Sequence, residues 1–301
     1  MAFIDEIKRN YLQGSMLMRI IFINIAVFIL ISIVSIGALL MNVQVDSLLR
    51  WVELPSDLGL LLKRPWTLLT YMFAHYRLLH ILFNMLWLYW LGRIFMEYFS
   101  PKQMTGVYLL GGFGGAVLYL LAYNLFPYFS GNQGFMLGAS ASVIAVVVAT
   151  AVYAPDYKIG LLFFGEVSIK WIAIVTVSID LLGLNPNNIG VNIAHLGGAF
   201  VGIWFALRMK SGHDITRPLN AVIDAISGFF NGRSFKFPEF KKKSSDVPRG
   251  GKSAQPHQAG TNQVNEDELD IILGKIKVAG YDALTDEEKE KLFKASRRRS
   301  P

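Results

Sequence analysis

Apolar positions along the chain gather into six runs, and polar residues mark where each starts and stops. Met18–Met41 is the first, with Arg19 and Asn24 as its strongly polar residues, both near its start. Leu78–Tyr98 is the second and is unusually polar for a helix in lipid, because it holds His80, Asn84 and Arg93. Met104–Phe126 is the third, and its Gly111-Gly112-Phe113-Gly114-Gly115 offers a small surface on which helices approach closely. Leu137–Tyr153 follows, stopped by Pro155, then Ile169–Leu184, and finally Val191–Met209 with Gly197, Gly198 and Gly202 along it. Such runs predict helices that cross a bilayer, since about 20 residues rising about 1.5 Å each cover its ~30 Å hydrocarbon core.

The connecting stretches are of several kinds. Residues 42–77 form a long mixed loop punctuated by Pro55 and Pro65, amphipathic around Val45–Val52 and Leu58–Leu62 and so suited to the membrane interface. Residues 127–134 read as a turn-like loop. Residues 158–166 are apolar but too short to cross, which predicts an interfacial turn or short hairpin. Asn185-Pro186-Asn187-Asn188-Ile189-Gly190 is a loop signal. The first run lacks a small-x-small cleavage site, so it is expected to be retained as a helix.

Composition sharpens this picture. The 301 residues are 53% hydrophobic and only 17% charged, too apolar for an ordinary water-soluble domain. The apolarity is confined to the membrane part. The division expected is a head at 1–16, a six-helix membrane domain at 17–209, a basic and partly disordered linker at 210–264, and a small helical module at 265–301. Within the linker, Arg217–Phe230 reads as a short amphipathic helix on the membrane. In the module, Leu269, Ile272, Leu273 and Ile276 recur at helical spacing, Gly280 makes a turn, and Thr285-x-x-Glu288 is a capping box opening a second helix. The fold class is therefore an all-α membrane protein, a six-helix bundle with a cytoplasmic tail containing a short helical hairpin.

Charge sets the orientation. Six crossings return the chain to its starting side, and Lys8, Arg9, Arg19, Lys102, Arg208, Lys210 and Arg217 all fall there. The positive-inside bias makes that side cytoplasmic for both termini and puts the 42–77 loop outside. The net charge of +7 is explained by this anchoring beside lipid; the basic residues lack aromatic interleaving, so no nucleic-acid partner is expected. Cysteine is absent, which removes thiol nucleophiles, thiolate metal sites and disulfides.

What chemistry remains must use Ser, His, Asp/Glu or Lys. An ionisable group at membrane depth costs on the order of 2.5–3.5 kcal/mol and needs a reason. Counting from outer ends near residues 78, 137 and 191, Ser140 lies three residues in and His195 four, roughly 5–6 Å below one face. His80 and Asn84 lie two and six residues in, one turn apart on one helix face. Four polar residues thus share a level. A neutral imidazole can take a serine's proton near pH 7, and a side-chain amide, a second imidazole and the Ser140 N–H can stabilise the oxyanion that follows attack on a carbonyl. Each residue alone has a plainer reading: Ser140 as a packing serine bonded to its own helix, His195 as a contact beside glycines, His80 and Asn84 as bonded to one another. Asp180 is either a third member or a capping group, His75 reads as loop packing, and Glu166 and Lys170 as interfacial.

Three motifs then carry a family resemblance: His75-x4-His80-x3-Asn84, Gly138-Ala139-Ser140, and Ala194-His195-x-x-Gly198-x-x-x-Gly202. In this order, on the second, fourth and sixth helices, they resemble the rhomboid intramembrane serine proteases, over about residues 17–209. The tail resembles the small C-terminal helical module of some bacterial members. The resemblance implies Ser140 as nucleophile, His195 as general base, and His80, Asn84 and the Ser140 amide as oxyanion donors, with no cofactor and no metal. It implies single-span transmembrane substrates, met beside the fifth helix with residues 185–190 as lid, in a bacterial inner membrane. Ala141 stands where the family usually has a second glycine, Ile144 where an aromatic often stacks on the histidine, and Thr67 follows Trp66 where Trp-Arg is common.

Two other functions compete. A catalytically inactive relative would bind transmembrane clients, its tail docking a soluble partner. The complete Ser/His/Asn set argues against it. A transporter or metal carrier using His80, His195 and Asp180 lacks inverted-repeat signals. A zinc protease is excluded by the absence of His-Glu-x-x-His.

Overall fold

The computed structural model describes residues 15–161, 165–182 and 189–230, together with Ile272, Leu284, Thr285, Glu287–Lys289 and Leu292. The chain divides into two compact units, Met1–Phe237 and Pro238–Pro301. In the first unit the first apolar run forms helix α1, Met16–Leu40, started by the Ser15 side chain, which accepts from the Met18 N–H. Leu17, Ile20 and Ile21 are buried, whereas Leu30, Ile33, Leu39 and Leu40 are exposed. A helix apolar on its outward face as well belongs in lipid.

The 41–77 segment follows as three short helices, α2 (Val45–Leu49), α3 (Leu58–Lys63) and α4 (Thr67–Thr70), with the strand β1 (Leu54–Pro55) between the first two. Helix α5 is Leu78–Tyr98, and α6 is Pro101–Leu125, opened by a complete capping box between Ser100 and Gln103. Strand β2 (Phe135–Met136) pairs antiparallel with β1, Leu54 opposite Met136. Ser56 and Gly134 extend this clamp through two hydrogen bonds of 2.9 Å, N–H to carbonyl and N–H to Oγ. The loop that approaches Ser140 is thereby tied to the long preceding loop.

Helix α7 is Ser140–Tyr153. It begins at Ser140, not at Leu137 as the apolar run suggests. Gly138 has φ +131, a conformation outside any right-handed helix, and a Cβ there would lie 2.6 Å from the His80 ring. Every residue from Ala141 to Ala151 is buried. After α7, strands β3 (Lys158–Leu161) and β4 (Gly165–Ser168) form an antiparallel hairpin, in agreement with the interfacial turn or hairpin expected there. Helix α8 (Ile169–Leu182), helix α9 (Ile189–Lys210) and helix α10 (Arg217–Phe230) complete the unit.

Among the described residues four helices, α1, α5, α6 and α9, are long and apolar enough to cross a membrane; α7 and α8 are shorter. The bundle is drawn together by glycines. A Cβ at Gly198 would overlap the Ala141 carbonyl, and one at Gly197 the Gly114 carbonyl, so α9 lies with its backbone against both α7 and α6. Helix α10 is pinned to the start of α6 by Lys102–Asp224 at 2.6 Å and by Asn220 Nδ2 donating to Lys102 O at 3.0 Å.

In the second unit the capping box is present: the Thr285 N–H donates to Glu288 Oε2 (3.0 Å) and the Glu288 N–H to Thr285 Oγ1 (3.4 Å). The head before Ser15, the 231–264 linker, residues 183–188 and most of the expected helical hairpin lie outside the described residues.

Candidate active site

The site begins with the turn that delivers Ser140. The Gly138 N–H donates to Tyr71 O at 2.9 Å and the Ala139 N–H to His75 Nε2 at 3.3 Å. Both amides ahead of Ser140 are therefore turned toward the 71–75 segment. That segment is itself held by α6, since the Tyr71 hydroxyl donates to Gly112 O and the Tyr108 hydroxyl to Met72 O (2.8 Å). Asn24 of α1 joins the same network, its Nδ2 donating to Ile20 O (2.9 Å) and to the Tyr108 hydroxyl (3.1 Å).

Ser140 is the first residue of α7, and no side chain caps that end. Its N–H has no intrahelical acceptor, and the helix dipole adds a fixed positive partial charge there. His195 comes from α9, three residues before the Gly198 contact with Ala141, and its Nε2 lies 2.6 Å from Ser140 Oγ. The close glycine packing of α9 on α7 is what lets a short hydroxymethyl side chain reach an imidazole on the neighbouring helix.

His80 and Asn84, one turn apart on α5, line the same cavity of about 270 Å³ as Ser140 and His195. The other walls are mainly apolar: Phe83 and Trp87 from α5, Val143, Ile144 and Val147 from α7, and Ile179 from α8 beside Thr176, whose hydroxyl donates to Ile172 O. Asn84 Nδ2 donates to His80 O at 3.0 Å and lies 3.3 Å from His75 Nε2. His75 is fully buried, its ring edge-on to that of His80 with centroids 5.1 Å apart. Burial, and then the neighbouring His80, push its pKa down to about 4, so His75 is neutral at pH 7.

The four residues singled out from the sequence thus line one cavity. Asp180 lies on α8, and its side chain is outside the described set. Glu166 and Lys170 are elsewhere, paired with Lys158 (3.0 Å) and Asp156 (2.6 Å) on exposed surface. His75, read as loop packing, is instead bonded to the nucleophile's turn. Its place in the His-x4-His-x3-Asn motif was the signal for it. Among the described residues no group of three metal-ligating side chains occurs.

This is a helical membrane protein with a serine–imidazole pair at an uncapped helix N-terminus inside the bundle. The description "Rhomboid domain" matches residues 62–211, and the chain belongs to the rhomboid family. It is 32% identical to the RHOMBOID-like protein 12, mitochondrial, of Arabidopsis thaliana, over 50% of this chain and 48% of that one. It is 28% identical to the Presenilin-associated rhomboid-like protein A, mitochondrial, of Danio rerio, over 48% and 36%. It is 29% identical to the Rhomboid protease GlpG of Yersinia enterocolitica, over 65% and 66%. The chain therefore spans between about a third and two thirds of the length of these relatives.

Proposed function

We propose that the chain is an intramembrane serine endopeptidase acting through Ser140 and His195. The observation that carries the reading is the 2.6 Å contact between His195 Nε2 and Ser140 Oγ at the uncapped N-terminus of α7. Ser140 Oγ attacks the scissile carbonyl carbon while its proton passes to His195 Nε2. The carbonyl oxygen becomes an oxyanion, stabilised by the Ser140 N–H and its helix dipole, with His80 and Asn84 as further donors. Collapse breaks the C–N bond, the leaving amine takes the proton from His195, and an acyl-enzyme remains on Oγ. Water, deprotonated by His195, then hydrolyses the ester.

The substrates proposed are single-span transmembrane proteins, reached between α5 and α8 past Phe83, Trp87, Thr176 and Ile179, with residues 185–190 as lid. All six apolar helices are proposed to lie at membrane depth, both termini cytoplasmic and the cavity open to the outside, in a bacterial inner membrane. The tail beyond residue 265 is proposed to dock a soluble partner. No cofactor is called for. The test is to incubate detergent-purified protein with a generic single-span substrate, wild type against Ser140→Ala, and to sequence any product. A product from wild type alone supports the reading. Client capture without cleavage, unchanged in Ser140→Ala and His195→Ala, supports an inactive client-binding relative instead.

A further inference from the structure

His75 reaches neither the serine nor the cavity, yet three bonds converge on its ring. The Ala139 N–H is a backbone donor and can only donate, so Nε2, 3.3 Å away, is an unprotonated acceptor. The ring proton therefore sits on Nδ1, which faces Phe73 O at 3.4 Å. An unprotonated Nε2 in turn requires a donor from Asn84, so the nitrogen end of that carboxamide faces His75 at 3.3 Å. His80 O, 3.0 Å from the same Nδ2, imposes the same orientation. One backbone N–H thus fixes a tautomer, and the tautomer contributes to fixing which way Asn84 is turned.

We infer that His75 is a positioning residue for the reaction: its bare Nε2 ties the turn before Ser140 to Asn84 and holds both at the orientation the oxyanion requires. The inference rests on the protease reading and goes beyond it, because His75 touches no reacting atom. With the Gly138 and Ala139 amides turned onto Tyr71 O and His75, the Ser140 N–H is left as the backbone donor available at the nucleophile. Removing Nε2 frees the turn and lets the Asn84 carboxamide rotate. A misplacement of the order of 1 Å at such a site costs up to about 100-fold in rate.

The test compares the full-length wild type, His75→Gln and His75→Leu in detergent. Glutamine keeps an acceptor near the place of Nε2, and leucine removes it at comparable volume. Turnover is normalised to the folded fraction from thermal melting, and the imidazole tautomer of the wild type is read by nitrogen-15 NMR at pH 7. The expected results are a proton on Nδ1 of His75, a ~10- to 100-fold loss of kcat in His75→Leu with KM within about twofold, and recovery of most of that loss in His75→Gln. A proton on Nε2, unchanged kcat per folded molecule in His75→Leu, or equal losses in both variants would overturn the inference while leaving the protease reading in place. A wild type that gives no Ser140-dependent product overturns the protease reading and the kinetic role of His75 together, even with the proton on Nδ1.

Discussion

Ser140 and His195 stand 55 positions apart in the chain, and their side chains meet at 2.6 Å. The contact joins the first residue of α7 to a residue near the start of α9. If it is the reacting pair, Ser140→Ala and His195→Ala should each lower turnover at least ~1,000-fold, and the double variant should be no worse than either, because the two act as one unit. Ser140→Ala should also abolish labelling by a fluorophosphonate. Labelling that persists in Ser140→Ala would remove Ser140 from the mechanism.

The same geometry depends on how closely α9 approaches α7. A Cβ at Gly198 would overlap the backbone carbonyl of Ala141, the residue after the nucleophile, and backbone cannot step aside as a flexible side chain can. Gly198→Ala should therefore cost ~1–3 kcal/mol and separate His195 from Ser140, lowering kcat along with thermal stability. Gly37 of α1 has nothing within 4 Å of an added Cβ and is the control. Gly37→Ala should leave activity intact and be neutral or stabilising by up to ~1 kcal/mol.

A third prediction concerns the support beneath the site. The Tyr108 hydroxyl donates to Met72 O and accepts from Asn24, all three residues being fully buried. Tyr108→Phe takes the donor from the Met72 carbonyl and one of two acceptors from Asn24 Nδ2, which keeps its bond to Ile20 O, and should cost ~1–3 kcal/mol in the melting of the detergent-solubilised protein. Adding Asn24→Leu should cost less than the sum of the two single changes, since it removes one of the groups from which the first change takes a partner. Additive losses would mean that Asn24 and Tyr108 are not coupled.

Much of this site was legible in the chain, for reasons that differ residue by residue. Leu78–Tyr98 was readable to its ends because its apolar run coincides with the helix, His80 and Asn84 lining the cavity and Arg93 and Glu97 bonding to Tyr89 and Tyr157 toward the other end. Leu137–Tyr153 was read three residues too long. Apolarity reports burial whatever the backbone does, and it could not see the positive φ at Gly138. It also could not separate burial in lipid from burial in protein: α7 is covered by its neighbours from Ala141 to Ala151 and is shorter than the apolar run suggests. Ser140, His195, His80 and Asn84, read from the sequence as sharing a level, line one cavity. The motif contained His75, but its bond to the nucleophile's turn was not legible, because that partner lies 64 positions away.

The buried, neutral His75 gives the fold a pH dependence of definite sign. Its pKa falls from 6.5 to about 4, with burial the main cause and His80 the second. Above pH 6.5 both folded and unfolded chains carry it neutral, so its contribution is fully present there. As pH falls below 6.5 the unfolded chain takes up a proton that the folded chain refuses, and stability is lost. The loss is on the order of 1 kcal/mol at pH 5.5 and about 3 kcal/mol at pH 4 by linkage. Below that the folded protein also protonates, Nε2 becomes a donor, and its bonds to the Ala139 N–H and Asn84 Nδ2 are broken. The chain holds other histidines, so the measurement is a difference. Melting curves of wild type and His75→Gln between pH 7.5 and 4 should draw together as the pH falls, because the variant lacks this penalty. Curves that stay parallel would show that His75 is protonated in the folded chain as readily as in the unfolded one, against the tautomer that its two donors require.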